Sequence, residues 1–393
     1  MTDALLIFNG GSSSIKFTLY DFGAAEPRKR VVGQIERIDQ APLLRLFSAE
    51  GEQLAEYQWP EGERQDDRVL LEKLLAELDA HMHLPLRAAG HRIVHGGPDY
   101  FQPTRLDEDV LRHLEASVPL APLHLPHNLA PIRALAELHP QLPQVGCFDT
   151  GFHATIPATE RLFGLPRAMA AEGIVRYGFH GLSYEYIASR LPQLDPRGAA
   201  GRALIAHLGN GASVCALVGG RSVATSMGFS ALDGLVMGTR CGSLDPGVLI
   251  YLLREQNYDA KTLERLLYHE SGLLGLSGGI SSDMRDLQAS DSPLAREAID
   301  VFVHRLVREL GALAATAGGI DTLVFTGGIG QHAPAIRSAV CERLRWLGID
   351  LDVSANTGNQ TQLHAAGSVV SVWMIPTDEE GVIARHCHEL LAP

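Results

Sequence analysis

The chain is poor in cysteine and in aromatic side chains, with five cysteines and 6% Phe, Trp and Tyr in 393 residues. Cys147, Cys215, Cys241, Cys341 and Cys387 are odd in number, widely spaced and free of any CxxC pair. That pattern excludes a disulfide framework and a cysteine-rich zinc site, and it fits reduced thiols in a cytoplasm. Cys215 reads as core, while Cys241 follows an arginine in a Gly-rich segment, the one setting where a thiol could be reactive. No uninterrupted apolar run reaches the roughly eighteen residues of a membrane span, and the start MTDALLIF lacks the basic region of a signal peptide. There is no GxxxxGK[ST], HExxH, GxSxG or GxGxxG motif. The net charge of −13 speaks against a general nucleic-acid surface and against anionic membranes. An anionic substrate would therefore need a local basic pocket. The histidine pairs His91/His95, His124/His127 and His386/His388 lack the carboxylate or cysteine complement of a zinc motif and read as core or solvated residues.

What is present begins with residues 4–20, ALLIFNGGSSSIKFTLY: an apolar strand, a turn of small residues, then an alternating strand through Ile15, Phe17 and Leu19. Small residues let backbone N–H groups close on an anion, with Ser12, Ser14 and Lys16 available for its oxygens. Residues 203–218, ALIAHLGNGASVCALV, repeat the plan with His207, Asn210, Gly211 and Ser213. The repeat points to a duplicated core and to two domains, within the roughly two to three that the length allows.

Strands are expected at 31–38, 43–47, 88–97, 144–150, 322–326 and 369–376. Helical spacing marks 68–82, 129–138, 184–191, 293–317, 334–347 and 378–391. The proline-rich residues 119–128, the Pro/Gly/Ala-rich residues 192–202 and the Gly-rich residues 226–247 read as loops. Strand, glycines and helix at 322–347, around Gly327–Gly328–Ile329–Gly330, follow the grammar of a nucleotide pocket. The last helix comes after the second unit is complete and is expected to return to the first.

Asn9, Ser12, Ser14, Lys16, Arg92, Asp149, His180, His207, Asn210, Arg240 and Glu379 are polar residues in or beside Gly-rich settings. Each alone has an ordinary explanation: the asparagines can serve their turns, Lys16 can be solvated, and His180 can cap a helix. Together they form the kit of phosphoryl transfer, with cations for the equatorial oxygens, carboxylates for a divalent metal, and positioning in place of covalent help.

The segments FNGGSSSIKF, GHRIVHGG, APLH, FDTGFH, RYGFHG, HLGNGAS, SMGFSALDGLVMGTRCG, Asp245–Pro246, FTGGIG and PTDEE stand in the order seen in the acetate/propionate kinase family, and the resemblance covers essentially the whole chain. It implies an α/β fold of two duplicated domains of the actin-like ATPase (ribonuclease H-like) type with an interdomain cleft. The expected division is 1–150, joined by the C-terminal helix 380–393, and 151–379 as the nucleotide-binding domain. It further implies a reversible, Mg²⁺- or Mn²⁺-dependent transfer between ATP and a short-chain carboxylate, giving acyl phosphate and ADP. A cytoplasmic homodimer with small-molecule substrates and no nucleic-acid or membrane partner is the accompanying expectation.

By the same resemblance Arg92 and Arg240 bind the carboxylate and steady the transferring group, a task suited to forked guanidinium groups. Asp149 matches the catalytic aspartate, and since acetate is already ionised it is expected to orient Arg92 or hold the metal, not to act as a base. Asn9, Asp149 and Glu379 match the metal site, and His180 the donor to the equatorial oxygens, with His124 and His207 in support. Asn9, Ser12, Ser14 and Lys16 match one phosphate site, His207, Leu208, Gly209, Asn210 and Gly211 a second, and Gly327, Gly328, Ile329 and Gly330 the adenosine pocket. Val94, Leu123 and Ala231 match the acid-selectivity pocket, where alanine in place of the family's proline leaves room. Acetate is expected first and propionate second, because one methylene decides only about 1–3 kcal/mol.

The chain departs from the family pattern at Leu125, at Gly181-Leu182-Ser183-Tyr184 where GTSH is usual, at Gln331-His332, and at Cys241 and Ser243. Alternatives are a propionate-preferring acyl kinase, a sugar kinase of the same superfamily, which paired arginines fit poorly, and a nucleotide-binding regulator without turnover.

Overall fold

The structure is a computed structural model describing residues 3–11, 13–22, 27–38, 40–61 and 65–391. The chain divides into two compact units, Met1–Gly151 with Asp378–Pro393, and Phe152–Thr377. In the first, strands β1 (Ala4–Gly10), β2 (Ser14–Asp21), β3 (Lys29–Glu36), β4 (Leu43–Ser48), β5 (Gln53–Gln58), β6 (Leu86–Ile93), β7 (Thr104–Arg105) and β8 (Gln144–Phe148) form one sheet in the order 5-4-3-2-1-6-8-7. In the second, β9 (Arg202–Leu208), β10 (Ala212–Val218), β11 (Arg221–Thr225), β12 (Thr322–Thr326) and β13 (Ser371–Met374) run in the order 11-10-9-12-13.

The two sheets share a plan. In each, an antiparallel hairpin and a third antiparallel strand lie on one side of the first strand, and two parallel strands lie on the other. The repeat seen in the two hairpins thus extends to five strands per unit, the duplicated α/β architecture that the sequence implied. β5 is an addition the residue pattern did not reveal: QLAEYQ carries little apolar alternation and is largely exposed at the sheet edge.

Burial explains the layers. β1 is apolar on both faces, as a central strand flanked by helices requires. Leu6 and Phe8 join a core with Leu70, Leu71, Leu74 and Leu78 of the helix Asp67–Met82 and with Leu135 of the helix Leu125–Leu138. Each such leucine contributes roughly 2 kcal/mol when taken out of water. On the other face Ile7 and Gly90 meet Ile383 and Cys387 of the helix Glu379–Leu391, and a Cβ on Gly90 would stand 2.6 Å from Cys387 Sγ. That close approach brings the last helix onto β1, β6 and β8. In the second unit the helix Gly181–Leu194 supplies Tyr184, Ile187 and Leu191 to one core, while Pro293–Thr316 packs on β9, β10 and β11.

Residues 119–128 and 192–202, read as loops, are partly helical, and so is the glycine run after β12. Leu125–Leu138 begins inside the proline-rich segment, because a proline in the first turn forfeits no intrahelical hydrogen bond. The helix expected at 184–191 extends through Pro192 to Leu194, and Pro196–Ala200 forms a further turn capped by Asp195. Gly327–Gly330 themselves open a short helix, Gly327–His332, after a turn at Gly327 (φ +76°). A side chain there would strike the Leu208 carbonyl oxygen at 2.6 Å.

Candidate active site

In the first unit three neighbouring parallel strands deliver polar residues at their carboxyl ends, the usual ligand edge of such sheets: Asn9 on β1, Arg92 on β6 and Asp149 just after β8. Arg92 Nε donates to Asp149 Oδ1 (3.1 Å) and Nη2 to Oδ2 (2.5 Å), a side-on bidentate pair, while Nη1 donates to Asn9 Oδ1 (3.1 Å). Glu379, in the first turn of the last helix, places Oε2 3.5 Å from Arg92 Nε. Burial disfavours the Arg92 charge, but Asp149 and Glu379 outweigh it and hold the guanidinium above its ordinary pKa. Burial in turn raises the Glu379 pKa, opposed by Arg92.

The three residues expected to hold metal therefore converge on one cation. Their donor atoms are an amide oxygen and two carboxylates, the hard oxygen set that Mg²⁺ takes together with phosphate oxygens. Among the described residues no group of three or more His, Cys, Asp or Glu gathers as a metal site. Lys16 lies opposite Asn9 in the β1–β2 register, and its charge reaches Glu379. Ser14 opens β2, its carbonyl accepting from Gly11 N–H (2.8 Å), and Ser12 lies outside the described residues. Val94 is buried, its N–H donating to Asn128 Oδ1 (2.9 Å), and Asn128 Nδ2 donates to the Gly10 carbonyl (2.7 Å). Leu123 is half-buried, just before His124 at the start of the helix Leu125–Leu138, and Leu125 is buried.

In the second unit β9 ends in His207 and Leu208, and the turn Gly209-Asn210-Gly211 leads into β10. His180 sits in the left-handed region (φ 59°, ψ 24°), a strained conformation for a residue with a side chain. It occupies the cap position of the following helix but makes no side-chain cap. Its Nδ1 lies instead 2.7 Å from Ser213 Oγ, and its ring stacks on His207 at 4.3 Å between centroids. A Cβ added to Gly211 would stand 3.2 Å from Arg240 Nη2 and 3.3 Å from His180 Nε2, so both groups flank this turn. Arg240 Nη1 donates to the Ala231 carbonyl (2.7 Å), which joins the residue expected to bear on acid selectivity to the arginine of this unit.

A cavity of about 480 Å³ opens beside the same turn, lined by Gly209, Asn210, Gly328 and Ile329 together with Ser282, Asp283, Met284, Arg285, His332 and Ala333. Residues 282–285 escaped the sequence reading, since SSDMRD has no Gly-rich or strand-end signature. Arg285 and Asp283 form a bidentate pair (3.1 and 2.6 Å) at this edge. Cys241 is half-buried, and burial raises its thiol pKa, which disfavours the thiolate.

The sequence profile of the acetokinase family matches residues 4–385. The chain belongs to the acetokinase family. Acetate kinase from Rhodopseudomonas palustris (strain ATCC BAA-98 / CGA009) is 50% identical over 99% of both chains, and that of Rickettsia felis is 40% identical over the full length of both. Among solved structures, Porphyromonas gingivalis acetate kinase matches 97% of this chain and 98% of its own with a TM-score of 0.87 at 34% identity. A propionate kinase from Francisella tularensis matches 98% of both chains with a TM-score of 0.90 at 33% identity. The family membership implied by the ordered motifs thus holds over nearly the whole chain. The acetokinase fold also accounts for the two duplicated units.

Proposed function

We propose that this acetokinase catalyses the reversible transfer of the γ-phosphoryl group of ATP to acetate, giving acetyl phosphate and ADP, with propionate as a poorer second substrate. The observation that carries this is the 50% identity to an acetate kinase over 99% of both chains. The site chemistry agrees with it. A carboxylate oxygen bonds to phosphorus as the bond to the ADP oxygen breaks, and no proton has to leave the nucleophile. The residues are therefore asked for charge and position, not for a base.

Arg92 has three N–H groups committed to Asp149 and Asn9, which leaves one on each terminal nitrogen for an anionic substrate. Asp149 orients that fork. Arg240 and His180 are the cation and donor for the transferring group, and Asn9, Ser14, Lys16, His207 and the turn at Gly209–Gly211 hold phosphates. The cavity at Gly328 and Ile329 takes the adenosine, where missing side chains leave backbone for a base to lie on. Asn9, Asp149 and Glu379 would hold Mg²⁺ or Mn²⁺, which when bound neutralises charge on the phosphate oxygens.

Val94, Leu123 and Ala231 set chain length. The solved acetate and propionate kinases resemble this chain equally well, so the preference rests on Val94 narrowing the site. Among the described residues no helix is long and apolar enough to cross a membrane. The five cysteines are free, which supports the proposed cytoplasmic setting. The helix Pro246–Glu255 buries no residue and exposes Val248, Ile250, Tyr251 and Leu253, an apolar surface that suits a homodimer.

Trapping acyl phosphate with hydroxylamine, using formate, acetate, propionate and butyrate with ATP and Mg²⁺, tests the reading. Hydroxamate formation is expected with acetate at the highest kcat/KM. A higher value for propionate would reverse the order. ATP binding without hydroxamate from any acid would instead favour a regulator without turnover.

A further inference from the structure

The surroundings of Tyr184 give it a task. Its side chain is fully buried, and its hydroxyl meets Ser213 Oγ, the sole hydrogen-bond partner recorded for it among the described residues. Burial pushes the phenol pKa well above its ordinary value, so the group keeps its proton. A buried O–H with one partner donates to that partner, because the alternative strands a donor away from water. Ser213 Oγ then accepts from Tyr184 and has its own proton to give. The atom placed to receive it is His180 Nδ1, 2.7 Å away.

An imidazole nitrogen that accepts a hydrogen bond carries no proton, so the neutral ring holds its proton on Nε2. Nε2 is the nitrogen beside Gly211 and close to Arg240. It is also the nitrogen able to donate to an equatorial phosphoryl oxygen. The opposite tautomer would present a lone pair to an anion. The stacked partner ring is also held at Nδ1, with His207 Nδ1 2.8 Å from Ser183 Oγ. Ser183 and Tyr184 are consecutive in the first turn of the helix that begins after His180, so one short segment anchors both imidazoles.

We propose that Tyr184 is a positioning residue for phosphoryl transfer: acting through Ser213, it fixes His180 as the Nε2–H tautomer, with its donor presented to the transferring group. The inference rests on the reading of His180 as that donor.

The decisive measurement is ¹⁵N NMR of the histidine rings in the intact protein, with the His180 resonance assigned by comparison with His180→Gln. The wild type is expected to show His180 protonated at Nε2, and Tyr184→Phe to show a growing Nδ1–H population. In steady state Tyr184→Phe should lower kcat by roughly tenfold, with KM for ATP and acetate little changed. In a Ser213→Ala background the same change should do nothing further, because Tyr184 then has no path to the ring. Nδ1–H in the wild type, an unchanged tautomer in Tyr184→Phe, or independent multiplicative losses in the double variant would each overturn the proposal. Should Tyr184→Phe fail to fold, the wild-type tautomer and its change in Ser213→Ala decide the matter. Full turnover in His180→Gln would sink the reading of His180 itself, whereas an inactive His180→Gln beside a silent Tyr184→Phe would sink only the relay.

Discussion

Arg92 and Asp149 meet side-on, with both carboxylate oxygens engaged by Nε and Nη2 of one guanidinium at 3.1 and 2.5 Å. The pair is planar recognition, not mere proximity of charge, and a point charge cannot reproduce it. Arg92→Lys keeps the positive charge beside Asp149 and Glu379 but loses the fork and its two uncommitted donors. We expect kcat/KM for acetate to fall by about a hundredfold or more, with the melting temperature changed little. Arg92→Ala is the poorer probe, since it takes a charged partner from Asp149, which is 1% exposed, and so lowers stability together with activity. Hydroxamate kinetics within threefold of wild type for Arg92→Lys would remove the fork from the mechanism.

Gly211 has an ordinary backbone conformation, so alanine is conformationally allowed there, yet the new methyl would lie 3.2 Å from Arg240 Nη2 and 3.3 Å from His180 Nε2. The methyl would occupy space between two groups proposed to meet the transferring phosphoryl group. Gly211→Ala is therefore expected to fold normally and to lose roughly ten- to a hundredfold in kcat, with far-ultraviolet circular dichroism unchanged. A variant with full turnover would mean that the space above Gly211 is not used.

Much of this was legible from residue pattern. The two hairpins announced themselves through small-residue turns between apolar strands, and Thr322–Thr326 and the long helix from Pro293 followed from simple periodicity. Arg92 and Asp149 stood out as charged residues in or beside Gly-rich settings, and the fold pairs them. What periodicity could not reveal depends on tertiary partners. The Gly327–His332 helix has poor helical propensity, and its carbonyls are held by an arginine seven residues beyond Gly330. The 282–285 edge of the cavity is made by a loop whose composition is unremarkable without its neighbours. The link from Tyr184 through Ser213 to His180 joins residues about thirty positions apart, so no local pattern announces it.

Three buried histidines set an acid limit. His91, stacked on Phe8 and bonded to Gln144 Oε1, His95, whose Nδ1 accepts from Gly97 N–H, and His153, held by Ser222 and the Phe179 carbonyl, are each pushed down by burial from 6.5 to about 4. Unfolding lets each take up a proton near 6.5 that the folded state refuses until about 4. Their contribution to stability is thus fully present above pH 6.5 and is lost as the pH falls toward 4, by roughly 3 kcal/mol apiece at the limit. Urea midpoints should be level from pH 8 to about 7 and decline steeply between about 6.5 and 5, where most carboxylates remain ionised. A midpoint that stays flat across that interval would contradict neutral burial of these rings.

Arg337 is fully buried and spends all its donors on neutral oxygens: Nε on Asn356 Oδ1 (2.7 Å), Nη1 on the carbonyls of Gly330 and Gln331 (2.8 Å each), and Nη2 on the Asn356 carbonyl (2.8 Å) and Asn359 Oδ1 (2.7 Å). Burial lowers its pKa, and none of these partners is a carboxylate. The negative end of the Gly327–His332 helix supplies part of the compensation, since a cation belongs at a helix C-terminus. That helix carries Gly328 and Ile329 into the cavity proposed for adenosine, so the arginine fixes the floor on which a base would lie. Replacing it by methionine takes a donor from each of these five oxygens, of which the Asn356 carbonyl keeps the Asn359 N–H (3.1 Å). We expect Arg337→Met to lower the melting temperature by about 10 °C and to raise KM for ATP by roughly tenfold, while KM for acetate stays near wild type. Arg337→Lys, with three donors at most, should fall between the two. A loss of stability with an unchanged KM for ATP would confine Arg337 to the core and separate the short helix from nucleotide binding.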